Sequence, residues 1–248
     1  MKNKVLTGLL LVLIGGWGNL LAQNAGSNYA RQVNTLIGTK GVGLTSGYLY
    51  PGATYPYGMV QFTPSYFSKR SGFVINQLSG GGCEHMGNFP TFPVKGKLKM
   101  SPDNILNYRI NISEEKGHAG YYEAMVQEDI KAKLTVTERT GMASYEYPAD
   151  QQYGTVIIGG GISATPIEQA AIVITAPNKC EGYAEGGNFC GLRTPYKVYF
   201  VAEFDADALE SGTWKRDELK PNTTFAEGEY SGVYFTFDVS KKKNVQYK

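Results

Sequence analysis

The segment Leu78-Ser79-Gly80-Gly81-Gly82-Cys83-Glu84-His85-Met86-Gly87-Asn88-Phe89-Pro90 collects more reactive side-chain types than any other stretch of this 248-residue chain, and it holds one of only two histidines. Three consecutive glycines let backbone approach a ligand closely, while Ser79, Glu84, His85 and Asn88 offer the donors and acceptors that sugar hydroxyls require. A loop that only packs against a neighbouring domain is the equally weighted alternative. Nucleophilic catalysis fits poorly: a thiol and its base must touch and be oriented by a third group. Cys83 and His85, two apart on extended backbone, do not face each other. Cys83, Glu84 and His85 also lack the paired, spaced ligands of a tetrahedral zinc site.

Other candidates carry less. The glycines between Gly38 and Gly43 resemble a phosphate cradle only in composition; there is no GxxxxGK[ST] pattern and no strand-to-helix unit around them. His118, in Lys116-Gly117-His118-Ala119-Gly120, reads as a turn residue. Trp214, before a charged run, reads as filler at the edge of a sheet pair.

Period-two alternation dominates the elements that would position such a loop. Val198, Phe200, Ala202 and Phe204 alternate with Lys197, Tyr199, Val201 and Glu203; Val233, Phe235, Phe237 and Val239 alternate with Tyr234, Thr236, Asp238 and Ser240. A meander is expected from strands Tyr121 to Gln127, Ile130 to Glu138 and Ala143 to Tyr147, with turns at Glu128-Asp129 and near Thr140-Gly141. Eighteen tyrosines and 31 glycines suit twisted sheets with frequent turns. The expected class is all-β, two packed antiparallel sheets in a β-sandwich with few short helices, for example near Glu168 to Ile174 or at the linker end.

The first 22 residues have the layout of a secretory signal peptide: Lys2 and Lys4, an apolar run from Val5 to Ile14, and a small-residue exit at Leu20-Leu21-Ala22. The run is too short to span a membrane. The expected product is one domain, residues 23–248, in a periplasm or outside the cell. Without Lys2 and Lys4 its 22 basic and 22 acidic residues balance, which leaves no basic stripe for nucleic acid. In an oxidising compartment, Cys83, Cys180 and Cys190 would form one disulfide and leave one thiol. Cys180–Cys190 is favoured because the two are close in a glycine-rich segment; Cys83–Cys190 is the runner-up.

A run of motifs places the chain in a family. Pro51-Gly52-Ala53-Thr54, Pro56, Gly58-Met59-Val60-Gln61-Phe62 with Pro64, then Leu78-Ser79-Gly80-Gly81-Gly82-Cys83, Gly120-Tyr121-Tyr122, Thr137-Glu138-Arg139-Thr140-Gly141, and Phe189-Cys190-Gly191 before Lys197-Val198-Tyr199-Phe200 occur in order. From residue 33 to 248 the chain resembles the amino-terminal domain of glycoside hydrolase family 92, exo-acting, calcium-dependent α-mannosidases. One pattern departs: where the family commonly reads Gly-His-Gly-His, this chain has Gly41-Val42-Gly43-Leu44.

The resemblance implies a large sandwich of the galactose-mutarotase, or supersandwich, type. It implies that Ser79, Gly82, Cys83, Glu84, His85 and Asn88 form part of a pocket for a mannose-containing glycan. It further implies that a helical (α/α)6 barrel carries the catalytic acid and base, together with most ligands of the calcium, and the chain stops at Lys248, roughly where that barrel should begin. Inverting hydrolysis needs two carboxyls about 6.5–9.5 Å apart. Glu123, Glu128, Asp129, Glu138, Glu203 and Asp205 are scattered and match no catalytic position, so no catalytic residue and no metal ligand is assigned. The expectation is one wall of a mannose-binding cleft, inactive without the barrel; the alternatives are a stand-alone carbohydrate-binding module and a truncated remnant.

Overall fold

The computed structural model describes residues 29–39, 49–65, 72–78, 83, 85–107 and 111–248. The chain divides into two compact units, Met1–Val33 and Asn34–Lys248. In the first, a 3-10 turn spans Tyr29–Gln32; the expected leader, residues 1–22, lies outside the described residues, as do Gly41 to Leu44.

In the second unit the strands run β1 (Ala53–Thr54), β2 (Gln61–Pro64), β3 (Phe73–Val74), β4 (Thr91–Lys95), β5 (Ile112–His118), β6 (Tyr121–Val126), β7 (Ile130–Val136), β8 (Gly141–Glu146) and β9 (Tyr153–Gly159). They continue as β10 (Ile167–Ala176), β11 (Lys179–Phe189), β12 (Leu192–Glu203), β13 (Glu210–Lys215), β14 (Glu218–Pro221), β15 (Phe225–Glu227), β16 (Ser231–Asp238) and β17 (Asn244–Tyr247). One short helix, α1 (Asp103–Asn107), interrupts them.

Three antiparallel sheets result, arranged as a sandwich: eight strands ordered β1-β2-β3-β4-β9-β16-β13-β14, five ordered β17-β8-β7-β6-β5, and four ordered β12-β11-β10-β15. The all-β, antiparallel expectation holds. The meander is present as β6, β7 and β8, with Gln127 and Glu128 both at positive φ in the first turn. β9 and β16 are buried along both faces, as strands in the middle of a packed sheet must be.

The sheets meet through aromatic rings. Phe73 of β3 stacks on Tyr145 of β8 at 6.0 Å and meets Tyr122 of β6 edge-on at 6.5 Å, joining the large sheet to the meander. The four-stranded sheet packs where the chain leaves β9: a Cβ on Gly160 would lie 2.7 Å from Ile172 Cγ2 of β10. Trp214 is fully buried on β13, not at an edge, and a Cβ on its partner Gly232 would fall 2.3 Å from the indole.

One expected helix is corrected. Glu168 to Ile174 lies in β10, where Ala170, Ile172 and Ile174 are buried and Gln169, Ala171 and Val173 are not. The β-branched run Ile172-Val173-Ile174 and the ladders to β11 and β15 outweigh the short helix-compatible stretch Glu168-Gln169-Ala170-Ala171.

Candidate functional site

Cys83 and residues 85–88 are tied to three other parts of the domain. Cys83 is bonded to Cys190, with Cα atoms 5.5 Å apart, across 107 residues of sequence. Cys190 sits at the tip of the β11–β12 hairpin. Phe189 pairs with Leu192, leaving Cys190 and Gly191 as a two-residue turn with φ of 51° and 82°. That is the primed geometry that suits the right-handed twist of the flanking strands, and Asn188 Oδ1 braces it by accepting from Gly191 N at 3.0 Å.

The second tie is to residue 164: Ala164 N donates to Met86 O at 2.9 Å. Within the loop, Leu78 N donates to His85 O at 3.2 Å. The third is a paired amide contact, in which Asn88 N donates to Asn76 Oδ1 at 2.8 Å and Asn76 Nδ2 donates to Asn88 Oδ1 at 3.1 Å. Asn88 is fully buried, and its Nδ2 has no hydrogen-bond partner among the described residues. Met86 and Phe89 adopt left-handed φ of 59° and 54° on either side of Gly87. Two non-glycine residues so placed store backbone strain of the kind that surrounding structure must hold in place.

His85 lies against the hairpin. Its ring sits 5.4 Å from Phe189 and 5.5 Å from Tyr196, the latter nearly perpendicular. His85 Nδ1 is 3.2 Å from the Asn188 carbonyl. The Tyr196 hydroxyl is buried and unpartnered among the described residues, as is Thr165 Oγ1. Toward solvent, Arg193 pairs with Glu168 at 3.3 Å.

The structure brings together Cys83, His85 and Asn88, and gives them different jobs. Ser79, Gly82 and Glu84 lie outside the described residues. Cys83 is a half-cystine and offers no thiol; Asn88 braces the loop from behind; Cys83 and His85 are both partly exposed, and of the two only His85 carries a polar side chain. Asn188 and Tyr196 were not singled out from sequence. Gly186-Gly187-Asn188 before Cys190-Gly191 was the available signal, since such runs mark tight hairpins.

The favoured Cys180–Cys190 bond is overturned. Cys180 and Phe189 stand near opposite ends of one strand, so about ten residues of extended chain, roughly 33 Å, separate the two sulfurs. Cys180 is a free, fully buried thiol facing Ala202 across the ladder, and burial pushes its pKa up.

Among the described residues no group of three or more His, Cys, Asp or Glu could hold a metal ion. Calcium takes six to eight oxygen ligands, and the described donors around the loop do not provide them. Among the scattered carboxylates Glu123 has structural partners: Tyr121 donates to it at 2.7 Å, with Lys131 3.4 Å and Lys116 3.8 Å away. That hydrogen bond, ahead of the lysines, holds Glu123 below its ordinary pKa, while burial and then Glu123 push Tyr121 up to about 12.

The sequence profile of the glycosyl hydrolase family 92 N-terminal domain matches residues 32–248. An uncharacterized secreted glycosidase of Arthroderma benhamiae is 31% identical over 138 residues, covering 48% of this chain and 17% of that protein. A family GH92 alpha-mannosidase from Bacteroides thetaiotaomicron, solved in complex with mannoimidazole, superposes with a TM-score of 0.73 at 24% identity, over 88% of this chain and 31% of that one. A family GH92 inverting mannosidase from the same species gives 0.67 at 23%, over 87% and 30%. The two solved structures share the fold, and the chain spans about a third of their length.

Proposed function

Because the chain belongs to glycosyl hydrolase family 92, as its N-terminal domain, we propose that it supplies one wall of a mannose-binding cleft in an exported α-mannosidase that degrades glycans. The observation that carries this reading is the loop at Cys83 and residues 85–88, held under strain against a hairpin with one partly exposed imidazole. A site that must keep its geometry without rearranging is built this way. The leader at residues 1–22 and a mature domain of residues 23–248 would deliver it to a periplasm or beyond, in keeping with the secreted glycosidase among its relatives. Among the described residues no helix is long and apolar enough to cross a membrane.

The catalytic acid and base, and most of the calcium ligands, then belong to a helical barrel in the remainder of such an enzyme. The 248-residue chain by itself is expected to release no mannose from α-mannobiose, with or without added calcium; sustained release above the blank would sink this reading. Paired with a family 92 catalytic domain, His85→Ala and Glu84→Ala should each lower turnover several-fold. Wild-type kinetics in both would mean that the loop only packs.

A second reading, a carbohydrate-binding module, is favoured by the outer face of the four-stranded sheet. Tyr183, Tyr199, Val201 and Phe225 surround a depression of about 360 Å³ there, with Tyr199 71% exposed and Phe225 54% exposed. Exposed rings of this kind stack on sugars. Tyr199→Ala would then abolish mannobiose affinity and His85→Ala would not.

A further inference from the structure

His85 meets the hairpin through its Nδ1, 3.2 Å from a backbone carbonyl oxygen. A carbonyl has no proton to give, so Nδ1 must carry one, and in the neutral ring the lone pair is left on Nε2. Among the described residues no hydrogen bond reaches Nε2. Phe189 and Tyr196 wall the ring, so turning it over would forfeit the Asn188 bond. The carbonyl is itself fixed: Asn188 lies two residues before Cys190, and His85 two residues after Cys83, so the disulfide and the imidazole bond are two rungs joining the same pair of segments.

From this we infer that the Cys83–Cys190 bond and the Asn188 carbonyl lock His85 as an outward hydrogen-bond acceptor, which selects a neutral ligand with a hydroxyl proton to donate rather than an anion. The inference rests on the loop being a wall of a sugar site. A sugar hydroxyl donates to Nε2 directly, whereas an anionic oxygen brings a second lone pair against the first. Asn188 and the cystine act here as positioning groups and make no ligand contact themselves.

Nitrogen-15 NMR of the labelled 248-residue chain reads which ring nitrogen is protonated, with the His85 signals identified by their loss in His85→Asn. The expected state is proton on Nδ1 and none on Nε2, with Nε2 moving on addition of α-mannobiose and not with inorganic phosphate. The opposite tautomer, or a rapidly averaged mixture, overturns the lock; a response to phosphate instead of mannobiose overturns the neutral ligand. His85→Asn keeps an amide donor for Asn188 and removes the outward acceptor, so mannobiose affinity should fall about fivefold to tenfold with an unchanged Tm. Cys83→Ser with Cys190→Ser should return His85 to a mixture of tautomers. No mannobiose response from a ring still protonated at Nδ1, when the labelled chain is paired with a family 92 catalytic domain, refutes the sugar reading of the loop while upholding the lock.

Discussion

Glu123 lends the domain a pH-dependent share of its stability. Its pKa is depressed in the fold, first by the Tyr121 hydrogen bond and then by Lys131 and Lys116, so that share is complete above the ordinary value of 4.5 and is lost as pH falls through the lowered one. Glu123→Gln should therefore cost about 1 kcal/mol at neutral pH and nothing in strong acid, read from urea midpoints across pH. At Gly232, an added Cβ would lie 2.3 Å from Trp214 and 2.4 Å from the Ile158 carbonyl. Gly232→Ala is expected to lose about 3 kcal/mol or more in chemical denaturation, because neither a buried indole nor a ladder carbonyl can retreat. Little of this was legible beforehand. The sequence marked His85 as reactive by type, but its orientation depends on Asn188, 103 residues away, and no local pattern encodes that contact.

Strands were the most legible feature, because alternation is a local property set by one face meeting the core. β6, β7 and β8 fall within a residue or two of their expected bounds, while β10 was partly misread because Glu168-Gln169-Ala170-Ala171 has no β signal of its own. The disulfide failed for a related reason: nearness in sequence suggested nearness in space, and β11 is extended where a bend was assumed. Joining residues 107 apart, Cys83–Cys190 closes a long loop in the unfolded chain, so reductant or Cys190→Ser should lower stability by roughly 2–4 kcal/mol. Thiol titration of the oxidised protein should find no reactive cysteine when native and one after unfolding, Cys180. A second native thiol would contradict the pairing.

For the whole molecule, composition disclosed the class, but the arrangement of three sheets could not be read, since it is made by pairings remote in sequence. β9 lies between β4 and β16, and β8 pairs with β17. Tyr247, on that last strand, shares ring contacts with Phe62, Tyr145 and Phe204, and its hydroxyl joins Thr91 and Tyr145 in a buried cluster. Removing residues 244–248 should abolish cooperative unfolding and the near-ultraviolet dichroism of the tyrosines; a sharp transition in the shortened chain would argue against a central role for β17. The placement of Tyr247 also sets a clock. A polypeptide emerging amino end first from a ribosome or a secretion pore has brought out every strand from β1 to β16 before the ring that Phe62, Tyr145 and Phe204 share comes into reach. For that interval the nascent domain is open to chaperones and proteases alike, and its survival depends on how quickly β17 follows β16.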